Sequence, residues 1–158
     1  MEKQKPQIWI KNQQKQIPTN PHMIRRIMKG ILAELELQNP EISILLLDDP
    51  QIRELNREYR KKDKSTDVLS FPMLDDTTEN VQPQLLGDIV ISVETAEKQA
   101  EKRKCSLYNE LSTLLIHGTL HLLGYDHELS KKDAQEMQKK ESAIFEKITE
   151  DPKIKAVL

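Results

Sequence analysis

The sequence predicts a single domain of the α+β class, with a sheet of about four strands and about five helices. Apolar positions that repeat at helical spacing occur along the same chain as short runs of β-branched residues, and the two kinds of element do not strictly alternate. The chain has 158 residues, enough to bury a sizeable core in one domain. Hydrophobic residues make up 37% and charged residues 32%, a balance that suits a globular protein.

Two strands and a helix are predicted before residue 48. Apolar and polar side chains alternate around Trp9, which predicts a short first strand. A helix begins at Asn20-Pro21, because proline is tolerated in the first turn, and it ends before Pro40. The apolar run at residues 42–47 predicts a central strand. The inner face of the helix consists of Ile24, Ile27, Met28, Ile31 and Leu35.

The middle of the chain adds a helix, two strands and two loops. Asp48 caps the second helix, which ends at Arg60. A polar loop then leads to a brief strand at residues 68–71. Residues 72–84 are acidic and contain two prolines, a composition that predicts a mobile loop. Another strand is predicted at residues 86–92. The inner face of this second helix consists of Ile52, Leu55 and Tyr59.

Three further helices are predicted after residue 92. Ser92 or Thr95 caps the first of them. Ser106 starts the second, which is apolar nearly all round and is therefore expected to be buried on several sides. Ser130 caps the last helix, and the tail at residues 150–158 is expected to be loose.

Three of the four histidines lie within the eleven residues 117–127. His117 and His121 are spaced i, i+4, which places both imidazoles on one helical face, within reach of a single ion. Gly124 is expected to end the helix, so that the chain turns back and brings His127 toward the other two. Three imidazoles without an obvious fourth ligand are typical of a catalytic zinc site, whose open position takes water or substrate.

Composition excludes several other kinds of protein. Cys105 is the only cysteine, which rules out a closed cysteine-rich zinc cage and an internal disulfide, and fits a reducing cytoplasm. No run of 18 apolar residues is present, so no membrane span is expected, and the N-terminus does not resemble a secretory signal. The net charge of −2 argues against indiscriminate polyanion binding but allows a local basic patch. Such a patch precedes a segment, residues 65–97, that contains no lysine or arginine.

The histidine spacing, with Gly124 between the second and third ligands, matches that of the metzincin zinc proteases. In those enzymes a glutamate that acts as general base follows the first histidine. Here that position is Gly118, which cannot accept a proton. The sequence therefore argues against peptide hydrolysis by that route.

The residues actually present resemble the YbeY family of bacterial single-strand endoribonucleases, the rRNA maturation factors. The signature is His-Gly-Thr-Leu-His-Leu-Leu-Gly-Tyr-Asp-His at residues 117–127. Two further blocks agree in the same order, at residues 55–72 and 86–92, and the similarity extends over about residues 42–145. One departure is Ser65, where the family usually has proline before Thr-Asp-Val-Leu-Ser-Phe, but this position carries no ligand.

The resemblance implies a mixed sheet with the histidine helix in the middle of the helical layer. It implies one Zn²⁺ per chain, bound by His117, His121 and His127. It also implies that Arg60 and His117 are the catalytic residues. It further implies a cytoplasmic endoribonuclease that processes the 3′ end of 16S rRNA and serves ribosome quality control. Its partners would be single-stranded ribosomal RNA, the ribosomal small subunit and assembly factors, and no membrane.

The chemistry of the basic residues is compatible with that function. Arg60 offers an always-charged planar fork suited to phosphate, although an arginine at a helix end also simply favours the helix dipole. Lys61, Lys62 and Lys64 either guide an RNA backbone or form a solvated face. Asp126 is expected to orient a histidine as its hydrogen-bond partner.

Other interpretations remain open on the sequence alone. One is hydrolysis of another substrate, including peptide, at the same zinc site. Another is a non-enzymatic ribosome-assembly factor whose metal is structural. The general base is open as well, since water at the metal, a ribose 2′-hydroxyl or Asp67 could accept the proton.

Overall fold

Four strands and six helices occur in residues 5–73, 84–126, 128 and 130–158, which are the residues described by a computed structural model. The mobile loop expected at residues 72–84 falls mostly on residues 74–83, which lie outside the described residues. The strands are β1 (Gln7–Asn12), β2 (Pro40–Leu47), β3 (Val68–Pro72) and β4 (Gln84–Ser92). The helices are α1 (Pro21–Glu34), α2 (Asp49–Arg60), α3 (Val93–Arg103), α4 (Leu107–Leu122), α5 (Lys131–Ile148) and α6 (Pro152–Lys155).

The strands form one mixed sheet in the order β1-β2-β4-β3. β1, β2 and β4 are parallel, and β3 pairs antiparallel with β4 at the edge. The predicted α+β class, the four strands and the central position of β2 are therefore confirmed. The two edges of the sheet are β1 and β3, and β3 is the edge nearer the histidine helix.

The main core lies on the face of the sheet that α1 and α4 cover, and α5 packs on these two helices. Alternate residues of β2 point into it, because successive side chains of a strand face opposite sides. α4 contacts β3, β4, α1, α3 and α5, which confirms its central place in the helical layer. The β2 residues in this core are Ile42, Ile44 and Leu46, each 1% exposed.

α2 packs on the opposite face of the sheet, where Ile52 is fully buried against Leu47 and Val90. The predicted inner face of α2 is wrong at its last turn, because Tyr59 is 61% exposed. Asn56 is buried there instead, and its side-chain amide donates to the carbonyl of Lys64 at 2.9 Å. This bond ties the polar loop after α2 to the helix.

The helix starts agree with the predicted caps. Ser92, Ser106 and Ser130 each accept a hydrogen bond from a backbone N–H in the first turn of α3, α4 and α5. Asp48 forms a reciprocal capping box with Gln51 at the start of α2. None of the described helices has the length and apolar character needed to span a membrane.

The expectation of a loose tail at residues 150–158 is wrong for residues 151–158. Asp151 caps α6 and pairs with Arg26 of α1 at 2.6 Å. Ile154 is 1% exposed in the core, and the hydroxyl of Ser106 donates to the carbonyl of Val157 at 2.7 Å. The tail therefore contains the sixth helix, Pro152–Lys155. Its apolar residues pack against parts of the protein that are distant in sequence, so the local sequence pattern does not predict this order.

Asp49 joins the starts of α2 and α3. Its carboxylate accepts hydrogen bonds from the hydroxyls of Ser92, at 2.6 Å, and Thr95, and Lys98 lies 3.2 Å away. Burial by itself would raise the pKa of Asp49, but the hydrogen bonds from Ser92, Thr95 and Lys98 outweigh it and hold the pKa below its ordinary value.

Asp49→Asn is expected to destabilise the protein at pH 7 by about 1–2 kcal/mol, because the charged acceptor is lost. A carboxyl whose pKa is lowered by folding stabilises the native state above its unfolded pKa of about 3.9, and this contribution is lost as the pH falls through the folded value. Thermal melts should therefore separate variant and wild type at pH 7, and the separation should be smaller at pH 3, below the unfolded pKa. The matched control is Glu101→Gln, at an exposed position of α3. An equal separation at both pH values would contradict the assignment.

Candidate metal centre

His117 and His121 lie one turn apart on α4, as their spacing predicts. Their Nε2 atoms are 3.0 Å apart, and their rings meet edge to face with centroids separated by 4.5 Å. A tetrahedral zinc ion with Zn–N bonds of about 2.0–2.1 Å separates two ligand nitrogens by roughly 3.3 Å. The separation of the two Nε2 atoms is close to that value, and the role of both imidazoles as ligands of one ion stays a prediction.

The burial of α4 positions this pair. Leu111, Leu115 and Leu122 are each 1% exposed, so the helix is held on several sides. His117 keeps 29% of its side chain exposed. The imidazoles therefore lie at the rim of a buried helix and are partly exposed to solvent.

Glu141 of α5 holds the other nitrogen of His117. Its Oε2 atom lies 3.2 Å from Nδ1 of His117. A carboxylate at Nδ1 favours the tautomer that carries its proton there, which directs the Nε2 lone pair toward His121. This is the orienting role that the sequence assigned to Asp126.

Sequence reasoning missed Glu141, although a signal was present. Glu141 falls on the same helical stripe as the buried residues Met137, Ile144 and Ile148. A carboxylate on an apolar stripe needs a polar partner, since an unpaired buried charge is costly. Because α5 is rich in charged residues, the sequence alone does not distinguish Glu141 from the solvent-exposed glutamates of the same helix.

The segment after α4 follows the predicted turn. Gly124 has a φ of 96°, in the region that favours glycine, and its N–H donates to the carbonyl of His121 at 3.0 Å. His127, the third predicted ligand, lies outside the described residues, and within the part of the chain that is described no group of three or more ligating side chains converges. Asp126 accepts a hydrogen bond from the backbone of Glu128 at 2.8 Å, so its role as an orienting residue stays a prediction.

Gly118 lies against the sheet, close to Ile89 of β4 and Ser70 of β3. A Cβ atom at this position would stand 3.1 Å from Ile89 Cγ2 and 3.2 Å from the hydroxyl oxygen of Ser70. Any side chain at position 118 would therefore require Ile89 and Ser70 to shift by a few tenths of an ångström. The metzincin type of general base is absent because residue 118 is glycine.

Arg60 is connected to the histidine helix through Ser70. The guanidinium donates to the carbonyl of Ser70 at 2.6 Å and lies over the ring of Phe71, 5.2 Å from its centroid. The hydroxyl of Ser70 donates to the carbonyl of Gly118 at 3.1 Å. Arg60 and Gly118, the residue after His117, thus both contact Ser70 of the edge strand β3, a connecting residue that sequence reasoning missed.

The polar loop after α2 is held by backbone hydrogen bonds, and its lysine side chains are exposed. Lys61 ends α2 in a left-handed conformation, and the N–H of Lys62 donates to the carbonyl of Asn56. Lys61, Lys62 and Lys64 are all exposed.

Asp67, a candidate for the general base, has a structural role. Its carboxylate accepts hydrogen bonds from the backbone of Val68 at 2.8 Å and from the side chain of Gln99 at 3.3 Å. These bonds hold the turn before β3, and the role of Asp67 as a general base stays a prediction.

Comparisons with known proteins identify the family. The profile of the family described as Endoribonuclease YbeY matches residues 8–149. A relative of that name from a Sulfurihydrogenibium species is 50% identical over 126 residues, which cover 80% of this chain and 82% of the relative. Another from Syntrophotalea carbinolica is 39% identical over 145 residues, covering 91% and 97%. The solution structure of a Thermotoga maritima protein matches with a TM-score of 0.65 and 27% identity, covering 92% of this chain and 91% of that one.

The family profile spans most of the chain, and the relatives match it over most of their own length as well. The resemblance inferred from the histidine signature and from residues 55–72 and 86–92 is thereby confirmed. The prediction that the protein is an enzyme that hydrolyses RNA is confirmed as well. This chain belongs to the YbeY family of endoribonucleases.

Proposed function

We propose that this protein is a zinc-dependent endoribonuclease that cleaves single-stranded ribosomal RNA, at the 3′ end of 16S rRNA, and serves ribosome quality control. The observation that carries the proposal is the pair of Nε2 atoms of His117 and His121 at 3.0 Å, with Glu141 behind the first ring. The family resemblance supports the RNA substrate, a cytoplasmic location, and the ribosomal small subunit with its assembly factors as partners.

The metal in this proposal is one zinc ion per chain, bound by His117, His121 and His127. A bound zinc ion supplies a Lewis acid that polarises a phosphoryl oxygen or activates water at neutral pH. The chain contributes the orientation of the donors: α4 sets the spacing of the first two imidazoles, and Glu141 directs His117. The turn at Gly124 allows the chain to return with the third histidine.

Arg60 binds the phosphate in this proposal. A guanidinium has five N–H donors, and the one that binds the carbonyl of Ser70 fixes the direction of the others. Stacking on Phe71 fixes the plane of the group. Such a preorganised cation stabilises the charge that develops on the nonbridging oxygens without having to reorganise during the reaction.

Hydrolysis of peptide at the same centre has no support in the geometry. The position that carries the general base in the metzincins is Gly118, which has no carboxylate, and its close contacts with Ser70 and Ile89 make the position tight for a larger residue. Phosphodiester cleavage needs positive charge near the substrate, which Arg60 supplies.

Glu141→Gln is expected to weaken zinc binding about 10- to 100-fold, because an orienting carboxylate behind a ligand histidine is replaced by a neutral amide. The fold should be unchanged, since Glu141 keeps about a quarter of its side chain exposed (26%). Competition with a chromophoric chelator measures the affinity. Glu146→Gln, at an exposed position of the same helix, is the matched control. Equal zinc affinity in both variants would remove Glu141 from the site.

The function is tested by a cleavage assay on one RNA sequence, presented single-stranded and as a duplex, with and without a chelator. We expect cleavage of the single strand, resistance of the duplex, loss of activity with the chelator and recovery on adding zinc. A peptide library should remain intact. Cleavage that persists in the chelator, or that is equal for both forms of RNA, would contradict the proposal.

A further inference from the structure

A groove on the face of the sheet that carries α2 is not used by the proposed metal centre. Beside that helix lies a cavity of about 780 Å³, a size within the range of ligand sites. Three aromatic rings contribute to its walls: Trp9 of β1, Tyr59 of α2 and Phe71 of β3. The two edge strands of the sheet therefore each provide one ring, and the helix provides the third.

The register of the strands explains the shape of the groove. Trp9 pairs with Ser43 across β1 and β2. Asp88 of β4 pairs with Ser43 on one side and with Phe71 on the other. This row crosses all four strands, with rings at its ends and short side chains in the middle. Because neighbouring strands are about 4.8 Å apart, the backbones that carry the two rings stand roughly 14 Å apart.

The rings are exposed but held in place. Trp9 is 59% exposed and Tyr59 is 61% exposed. The indole N–H of Trp9 donates to Glu41 at 3.0 Å, and the ring of Tyr59 meets that of Phe71 edge-on with centroids 5.6 Å apart. Fixed aromatic faces open to solvent are the platforms on which proteins stack the bases of single-stranded nucleic acids.

Phe71 links the groove to Arg60. Phe71, which forms one wall, also lies beneath the guanidinium of Arg60, the group that the proposed function places on the scissile phosphate. Lys11 lies at the opposite side of the groove, on β1. The cations are thus at the rims, while the floor carries the exposed carboxylate of Asp88. That distribution disfavours phosphates in the groove and favours bases, whose amino groups can donate to a carboxylate.

We propose that this groove binds unpaired bases of the RNA next to the scissile phosphate, stacked on Tyr59 and Trp9, while the sugar–phosphate backbone follows the rim to Arg60. The inference rests on the proposed function, because RNA is its ligand. It also supplies a physical reason for selecting single strands: bases in a duplex are already stacked and paired, so they do not enter the groove.

Trp9 is the only tryptophan of the chain, so its fluorescence reports directly on the groove. The probe is a single-stranded 2′-O-methyl RNA of about eight nucleotides, titrated into the zinc-loaded protein. We expect saturable quenching of Trp9 emission as bases stack on the indole. An abasic oligomer of the same length and charge should bind roughly tenfold more weakly and leave the emission unchanged.

Tyr59→Leu is expected to raise Kd for the probe and KM for cleavable RNA roughly tenfold, because one stacking face is lost. Tyr59→Phe retains the ring and should restore binding. Both variants should melt like the wild type, because Tyr59 is mostly exposed. RNA that binds without changing Trp9 emission, or Tyr59→Leu that binds as well as Tyr59→Phe, would overturn the proposal and leave the groove to another occupant, such as a protein partner.

The failure of this inference is distinguishable from the failure of the proposed function. If the wild type cleaves single-stranded RNA while the groove variants bind and cleave equally well, only the groove proposal fails. If the zinc-loaded wild type cleaves no RNA, the proposed function fails and the groove proposal fails with it.

Discussion

His117→Ala is expected to abolish stoichiometric zinc binding and to lower the rate of RNA cleavage by about 10³-fold or more, since the Lewis acid contributes several kcal/mol to catalysis. The melting temperature should fall to that of the chelated wild type, because an ion that binds only the native state stabilises it. The protein should remain folded, because the side chain lies at the rim of α4 with 29% of its surface exposed. Zinc content, thermal melts and single-turnover cleavage give the three readouts.

The chain supplies its own control for this substitution. His22 is exposed near the start of α1 and is the only histidine outside residues 117–127. His22→Ala should bind zinc, melt and cleave like the wild type. If His117→Ala retained one zinc per chain and cleaved at a comparable rate, the histidine pair on α4 would not be the metal centre.

Arg60→Ala and Arg60→Lys are both expected to stay folded and zinc-loaded and to lose about 10²-fold or more in cleavage rate, the scale for removing one preorganised transition-state donor. Lysine separates two roles of the arginine. A cation that only favours the end of α2 is replaced well by an ammonium, because the dipole responds to charge. A cation that grips phosphate is not, because an ammonium lacks the planar pair of donors and does not stack on Phe71 in the same way.

Lys62→Ala is the control for charge in the same loop. It should weaken RNA binding and reduce its salt dependence while leaving the single-turnover rate at saturating protein nearly unchanged. An Arg60→Lys protein that cleaves within about threefold of the wild type would show that Arg60 is only a helix-end charge.

The elements that local patterns determine were predictable from the sequence. Serine caps at Ser92, Ser106 and Ser130 act within a single turn, so their positions follow from neighbouring residues. The i, i+4 spacing of His117 and His121 likewise translates directly into a shared helical face.

The features that sequence reasoning missed depend on partners distant in the chain. Glu141 of α5 contacts His117 of α4, and Ser70 of β3 contacts Gly118 of α4. Tyr59 has the periodicity of an inner face, yet its ring meets Phe71 of β3 only edge-on and stays 61% exposed. Periodicity states which side chains share a face, but tertiary packing decides whether that face is covered.

X-ray absorption at the zinc edge of the purified protein is the most direct test of an open histidine zinc centre. The account predicts one zinc per chain with three imidazole nitrogens and one oxygen ligand from water, and no sulfur. Sulfur in the first coordination shell, which would bring in Cys105, or a fourth protein ligand closing the site would contradict it.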